Sequence, residues 1–404
     1  MPAPATIRPR VIENAVVWPG DGRSFTGHVA IAGDRIVAVA AGPWGGGEPA
    51  DVLDARGRAV SPGLVDLMVL GGFDRSILRD DPLDIAREYL PLGVTACQFC
   101  TGTLPWEAQV QVGRNVGRAR AADDAAAARI LGLYLEGPFQ HPDFTGASLR
   151  ENSLPPTPEN VARVLDALGG PTTMVNVSPG MPDSPSAVRQ FVAAGKTVSM
   201  AHSAAPAADV LACVEAGTTV LGHVFDNNSG LIGDSGVQQP TLEHVALDDD
   251  RVRFIHLICD GAHVHPLLVR LVLRCRGAGS ICLVTDCVPK AGRPDGEFVW
   301  DDGRRFVKRH GVGRTDKGGL CGSGLLLPDM LRNFMKFTGL PPHEAIRTVT
   351  HNPARSLGLD GDFGLLAPGR LADLCLWADG LVLEAVWRGG MPLPTVSPYA
   401  EVRL

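Results

Sequence analysis

No basic stripe runs through this chain, whose 404 residues carry a net charge of −7. A general nucleic-acid surface is therefore excluded, because such surfaces need clustered positive charge. No apolar run approaches the ~20 residues of a membrane span. The N-terminus, Met-Pro-Ala-Pro-Ala-Thr-Ile-Arg, lacks the charged-then-apolar layout of a signal peptide. A disulfide framework is missing too. The nine cysteines are odd in number and scattered, and Cys213, Cys259, Cys282 and Cys375 sit inside apolar runs. They read as reduced core residues of a cytoplasmic protein. Cys97 and Cys100 form a lone Cys-x-x-Cys within a strand-like run and have no second pair, so a structural part is expected. Trp44-Gly45-Gly46-Gly47 lacks the strand–loop–helix context of a phosphate cradle and reads as a surface loop.

What is present is alternation. With 45% hydrophobic residues the chain can bury one large core and a smaller one. Eight apolar runs read as strands: Leu64–Leu70, Val94–Phe99, Ile130–Leu135, Met174–Val177, Thr197–Ala201, Thr219–Leu221, Phe254–Ile258 and Ile281–Val284. Helical patterns with proline or acidic starts lie between most of them, as at Asp84–Leu92, Pro158–Leu168, Pro206–Ala216 and Pro266–Arg276. Near-continuous apolar strands alternating with helices predict a parallel α/β barrel of the (β/α)8 TIM type. Short strands with Gly/Pro turns occupy both ends of the chain: Val11–Val17, His28–Ile31 and Arg35–Val39, then Leu371–Trp377 and Val382–Trp387. Residues 1–62 and 363–404 are expected to form one small β-sandwich beside a barrel of residues 63–362.

In such barrels chemistry sits at the C-terminal strand ends, and these are unusually polar here. Two β-branched runs separated by one helix end in His202 and His223, which places both imidazoles on one rim. The third run ends in Glu136-Gly137-Pro138, and the eighth in Thr285-Asp286. After the seventh comes Asp260-Gly261-Ala262-His263. A carboxylate directly after a buried strand is costly unless paired or bound to a cation. One glutamate and two histidines leave a coordination position for water on a divalent ion. Asp286 is then suited to carry a proton. Alone, each residue has an ordinary explanation: a hydrogen-bonded histidine, or an aspartate capping a helix. Their recurrence on successive strands favours the metal. His256, within the seventh strand, reads as structural or as a neighbour of the ligands. His244, His310 and His343 receive no role, and His351-Asn352-Pro353-Ala354 reads as a turn closing the barrel.

Motifs in order along nearly the whole chain make it resemble the amidohydrolase superfamily, and within it the amino-sugar deacetylase branch. They are Ser61-Pro62-Gly63-Leu64-Val65-Asp66, Leu135-Glu136-Gly137-Pro138-Phe139, Ala201-His202-Ser203, Gly222-His223-Val224-Phe225 and Asp260-Gly261-Ala262-His263. Leu283-Val284-Thr285-Asp286, Leu320-Cys321-Gly322-Ser323, Asn352-Pro353-Ala354-Arg355 and Ala367-Pro368-Gly369-Arg370-Leu371-Ala372-Asp373 complete the series. The resemblance implies that Glu136, His202 and His223 hold one divalent ion, zinc or iron, with Asp286 as acid/base. It places His263, Asp226, Asn227 and Ser148 at a small N-acylated substrate and implies a homodimer.

Three departures bear on substrate. Where many relatives carry His-x-His after the first strand, this chain has Met68 and Leu70, which favours a single ion. Where the family has Asn-Ala near the sugar phosphate, it has Asp226-Asn227, and a carboxylate repels a phosphate dianion. The following loop, Gly230–Gln239, has no Arg or Lys; Lys290 and Arg293 are possible replacements or solvated loop residues. An amide hydrolase acting on an N-acetylated amino sugar with an altered phosphate site is the leading expectation. The others are a hydrolase of a non-phosphorylated N-acyl amine or other amide, ester or carbamate, and a catalytically silent ligand-binding barrel.

Overall fold

A computed structural model describes residues 8–393 except 48, 50, 227–230, 233–235, 301–302 and 316–317. Eight parallel strands hydrogen-bond in chain order: Leu64–Val69, Val94–Thr101, Arg129–Leu135, Thr172–Asn176, Thr197–Met200, Val220–Leu221, Phe254–Ile258 and Ile281–Val284. The ring closes through a parallel bridge between Val69 and Cys287. The predicted strands are therefore all present, and the fold is the (β/α)8 barrel. Their side chains are buried on both faces because helices cover the outside and other side chains fill the inside. Helix starts follow local chemistry. Pro158–Leu168 begins where Thr157 accepts from the Asn160 amide, and it buries Val161, Val164 and Leu168 on one stripe. Pro266–Arg276 begins where the His265 ring accepts from the Leu267 amide, and it stops at Gly277, φ 68°. Among the described residues no helix is long and apolar enough to cross a membrane.

Strands from both ends of the chain share one eight-stranded sheet. Ala59–Pro62 pairs in parallel with Arg10–Val17 on one side and antiparallel with Leu374–Ala378 on the other. This sheet has its own apolar core, including Ile12, Val29, Ile36, Leu374 and Trp387. Asp373 ties it to the barrel by accepting from Arg129 Nε at 2.9 Å. The Asn352 segment differs from the expected turn: His351–Ser356 is a short helix. Its Asn352 amide donates to the carbonyls of Ala278 and Ile281 at 2.7 Å each, so the residue does fasten the eighth strand. Cys97 and Cys100 are free thiols buried in the second strand, as expected of structural residues.

A second insertion was not legible in the sequence. Gly296–Val299, Arg305–Arg309, Val312–Thr315 and Leu320–Ser323 form a four-stranded antiparallel meander after the eighth barrel strand. Its last strand is held to the strand-end turn, since the Ser323 amide donates to the Asp286 carbonyl at 2.9 Å.

The barrel seam contains a carboxylate with no exposure. Asp66, in the first strand, accepts from Thr285 Oγ1 at 2.7 Å, from the Thr285 amide at 3.3 Å and from the Met68 amide at 3.2 Å. Burial raises its pKa to about 6, only partly offset by these donors. A folded-state pKa above the unfolded value makes the protonated form the stabilising one. Its contribution is fully present below about pH 4 and is gone once pH has risen through about 6. At ~1.4 kcal/mol per pH unit the window from 3.8 to about 6 is worth roughly 3 kcal/mol. In Asp66→Asn the amide oxygen keeps both backbone donors, while Thr285 Oγ1 turns its hydroxyl to the Met68 carbonyl, 3.1 Å away. We therefore expect wild-type stability, followed by denaturant unfolding, to fall relative to Asp66→Asn between pH 4 and 6. Parallel curves for the two proteins would refute this.

Candidate metal centre

Glu136, His202 and His223 follow the third, fifth and sixth barrel strands and meet on one rim. Glu136 Oε1 lies 2.8 Å from His202 Nε2 and 2.8 Å from His223 Nε2, and the two nitrogens are 3.1 Å apart. All three side chains are almost wholly buried. The outer ring nitrogens settle the tautomers: His202 Nδ1 donates to the Phe144 carbonyl at 2.6 Å, and His223 Nδ1 to the Asp226 carbonyl at 3.2 Å. In the neutral rings both Nε2 atoms then present lone pairs toward a carboxylate oxygen. Three acceptors converging within van der Waals reach are compatible only with a proton or a cation between them.

The dimensions suit a cation. Metal–ligand bonds of ~2.0–2.1 Å place tetrahedral ligand atoms ~3.3 Å apart, close to the observed triangle. These residues fit a mononuclear divalent site, and they form the one His/Cys/Asp/Glu cluster of that kind among the described residues. With a proton in that place, burial works against charge on His223, yet the hydrogen bond and charge of Glu136 push its pKa up to about 10. Burial likewise works against ionised Glu136, but the two histidines hold it well below the usual carboxylate range. The cluster is thus built around a positive charge. Met68 is buried at the first strand end and Leu70 borders the cleft, neither offering a ligand for a second hard ion.

Backbone strain accompanies the geometry. His202, His223 and Asp286 have φ of 55°, 20° and 46°, in the sparsely populated left-handed region. Each strand end turns abruptly there, which aims the side chain across the barrel mouth instead of along the strand. Glycines make room for these turns. A Cβ on Gly137 would lie 2.6 Å from Thr103 Cα, and one on Gly222 would lie 3.0 Å from Ala201 Cβ.

A cleft of about 80 Å³ joins the triad to Asp286, His263, Asp226 and Ser148. Every described residue expected at the site is therefore brought together; Asn227 lies outside the described residues. Burial raises the Asp286 pKa to about 7, reinforced by the Glu136 charge and opposed by His223 and His263. A divalent ion on the triad would draw it downward again. His263 Nδ1 is 2.6 Å from Asp260 Oδ2, while its buried Nε2 has no partner among the described residues. Burial opposes charge on His263, but Asp260 outweighs it and raises its pKa. Asp226 gives its carbonyl to His223, and its carboxylate is 3.9 Å from the same ring. Ser148 Oγ accepts from the Thr103 amide at 3.2 Å. His256 is fully buried within the seventh strand, edge-on to Tyr134 at 6.3 Å, and burial depresses its pKa to about 3.

Lys290 and Arg293 do not border this cleft. Both bind Asp74: Lys290 Nζ directly, and Arg293 Nε at 2.7 Å. The described cleft lining contains no Lys or Arg. Trp300, Leu320 and Cys321 border it as well, all supplied by the meander that sequence reading missed. Its signal was there: Phe298 and Trp300 alternate and Phe306 follows, in a chain with only 5% aromatic residues. A larger cavity of about 580 Å³ lies between the terminal sheet and helix Leu327–Thr338, but none of the candidate residues faces it.

Residues 60–396 match the model of the amidohydrolase family. The N-acetylgalactosamine-6-phosphate deacetylase of Escherichia coli O157:H7 is 31% identical over 349 residues, spanning 85% of this chain and 89% of that protein. The N-acetylglucosamine-6-phosphate deacetylase of Caenorhabditis elegans is 28% identical, spanning 84% of each. Among solved structures, the N-acetyl-D-glucosamine-6-phosphate deacetylase of Mycobacterium smegmatis, in complex with N-acetyl-D-glucosamine-6-phosphate, superposes with a TM-score of 0.85 at 28% identity. That match covers 95% of this chain and 99% of the other. On its fold, its strand-end residues and these similarities, the chain belongs to the amidohydrolase family and is a hydrolase of amide bonds.

Proposed function

We propose that the protein removes the acyl group from an N-acetylated amino sugar, using one divalent ion on Glu136, His202 and His223 and a proton carried by Asp286. The observation that carries this reading is the triangle of three converging acceptor atoms opening into the cleft that Asp286 and His263 share. The similarity to sugar deacetylases over most of the chain supports the substrate class. The reading also takes zinc or iron as the ion, a homodimer as the assembly, and the cytoplasm as the location, where free thiols such as these persist. It assigns residues 63–362 to the catalytic barrel and 1–62 with 363–404 to the β-domain.

When bound, the ion acidifies a water and polarises the acyl carbonyl. Asp286 accepts the proton of the attacking water and delivers it to the departing nitrogen. Burial and the Glu136 charge raise the proton affinity of Asp286, which counters the pull of a bound ion and suits the carboxylate to both transfers. His263 Nε2 offers a hydrogen bond to the substrate, and Asp260 fixes the ring that makes it. Asp226 and Ser148 border the same space and are assigned to substrate hydroxyls.

Three outcomes are expected. Chelation should remove about one divalent ion per chain, measured by elemental analysis, and lower the unfolding temperature; Glu136→Gln should lose both the ion and the sensitivity to chelator. Asp286→Asn should lower turnover by at least ~10³-fold with ion content unchanged, a loss at the upper end of that for a proton-transfer group. Unaltered turnover would sink the mechanism. In a side-by-side assay, N-acetylglucosamine should be used better than its 6-phosphate, because Asp226 borders the described cleft and no Lys or Arg does. A strong preference for the phosphorylated sugar would overturn that part.

A further inference from the structure

The antiparallel meander covers one side of the cleft with an aromatic stack. Trp300 packs against Phe306 with centroids 4.8 Å apart and planes at 35°, and Phe306 packs against Phe298 at 5.6 Å and 40°. These rings join buried Val288 and Cys321 and half-buried Ala147 in a small apolar cluster of their own. Trp300 sits on a tight turn, its amide donating to the Arg304 carbonyl at 2.7 Å and its carbonyl accepting from Gly303 at 2.9 Å. Arg304 Nη1 donates to the Ala147 carbonyl at 2.8 Å, which docks this turn on the loop that follows Glu136. On the other side, the strand Leu320–Ser323 is hydrogen-bonded to the Asp286 turn. The meander is thus braced against the loops of two reacting-site carboxylates, and Trp300 is its one aromatic residue bordering the cleft.

We propose that Trp300 is a specificity-determining residue, the platform on which the ring of a cyclic N-acyl amine lies while its amide faces the triad. The proposal rests on the amide-hydrolase reading of the same cleft. A pyranose presents an apolar face of C–H groups, and an aromatic ring fixed on one side by Phe306 offers it a preorganised surface without any charge. Leu70, Val288, Leu320 and Cys321 also border the cleft and are apolar. An open-chain acyl amine has no such face and gains nothing from the platform.

The test compares wild type, Trp300→Ala and Trp300→Phe as metal-loaded full-length proteins, with N-acetylglucosamine and open-chain N-acetylethanolamine as substrates. Trp300→Ala should raise KM for the cyclic substrate about tenfold with kcat little changed, the size of a lost aromatic contact. Trp300→Phe should restore most of it, and neither variant should change KM for the open-chain amide. Equal losses on both substrates would make Trp300 mere cover for the meander and overturn the proposal, as would an unchanged KM. Saturation-transfer NMR with N-acetylglucosamine supplies a readout independent of turnover: ring-proton signals should be strong in wild type and Trp300→Phe and weak in Trp300→Ala. If wild type hydrolyses neither amide, the proposed use of non-phosphorylated substrates fails on that result, and the ring-proton signals still decide the platform. Signals of equal strength in all three proteins would refute it.

Discussion

The structure depends on closing a ring of eight parallel strands, and a buried carboxylate braces the seam where the Val69–Cys287 bridge closes it. Asp66 on the first strand receives the hydroxyl and amide of Thr285 just past the eighth. That pairing fixes the register between the two ends of the sheet, and the residue after Thr285 is Asp286. A stable seam and the placement of Asp286 on the rim are therefore consequences of one hydrogen-bonded corner. The cost is electrostatic: Asp66 gives up hydration, and its raised pKa shows that the donors do not replace all of it. Asp286, the residue after Thr285, is less completely buried, but the Glu136 charge adds to its desolvation and pushes it higher still.

The rim carries the second constraint. Three acceptor atoms within about 3 Å of each other would repel in a fold without a cation. The surrounding chain holds them there by fastening both outer imidazole nitrogens to carbonyls and by forcing left-handed backbone at His202, His223 and Asp286. This is strain borne at a functional site and supported by the rigid barrel beneath it. Met68 at the end of the first strand and Leu70 beside it add no further ligand of the hard-ion type to this rim.

Much of this was legible beforehand because periodicity is local. Runs that are apolar on both faces can only be strands covered on both sides, and each of the eight was found within a few residues of its observed limits. Polar residues directly after such runs identified Glu136, His202, His223 and Asp286, since a charge there must be bound or paired. The meander Gly296–Ser323 escaped although three of its strands alternate in burial, because each is only four or five residues long. Its contacts with Ala147 and Asp286 join segments about 160 and 40 residues away in the chain, and no local pattern encodes that. Lys290 and Arg293 illustrate the same limit: their positions suggested a substitute anion site, whereas Asp74, more than 200 residues earlier, takes both.

By itself, then, the sequence determined the barrel, the family and the identity of the converging residues, because strand burial and strand-end chemistry are properties of neighbouring residues. Only the tertiary structure decided how those residues are poised. The tautomers of His202 and His223 depend on carbonyls of Phe144 and Asp226, the charge state of Asp286 on burial beside Glu136, and the wall of the cleft on Trp300. Each of these is set by a contact between distant segments, and such contacts exist only once the ring of strands has closed.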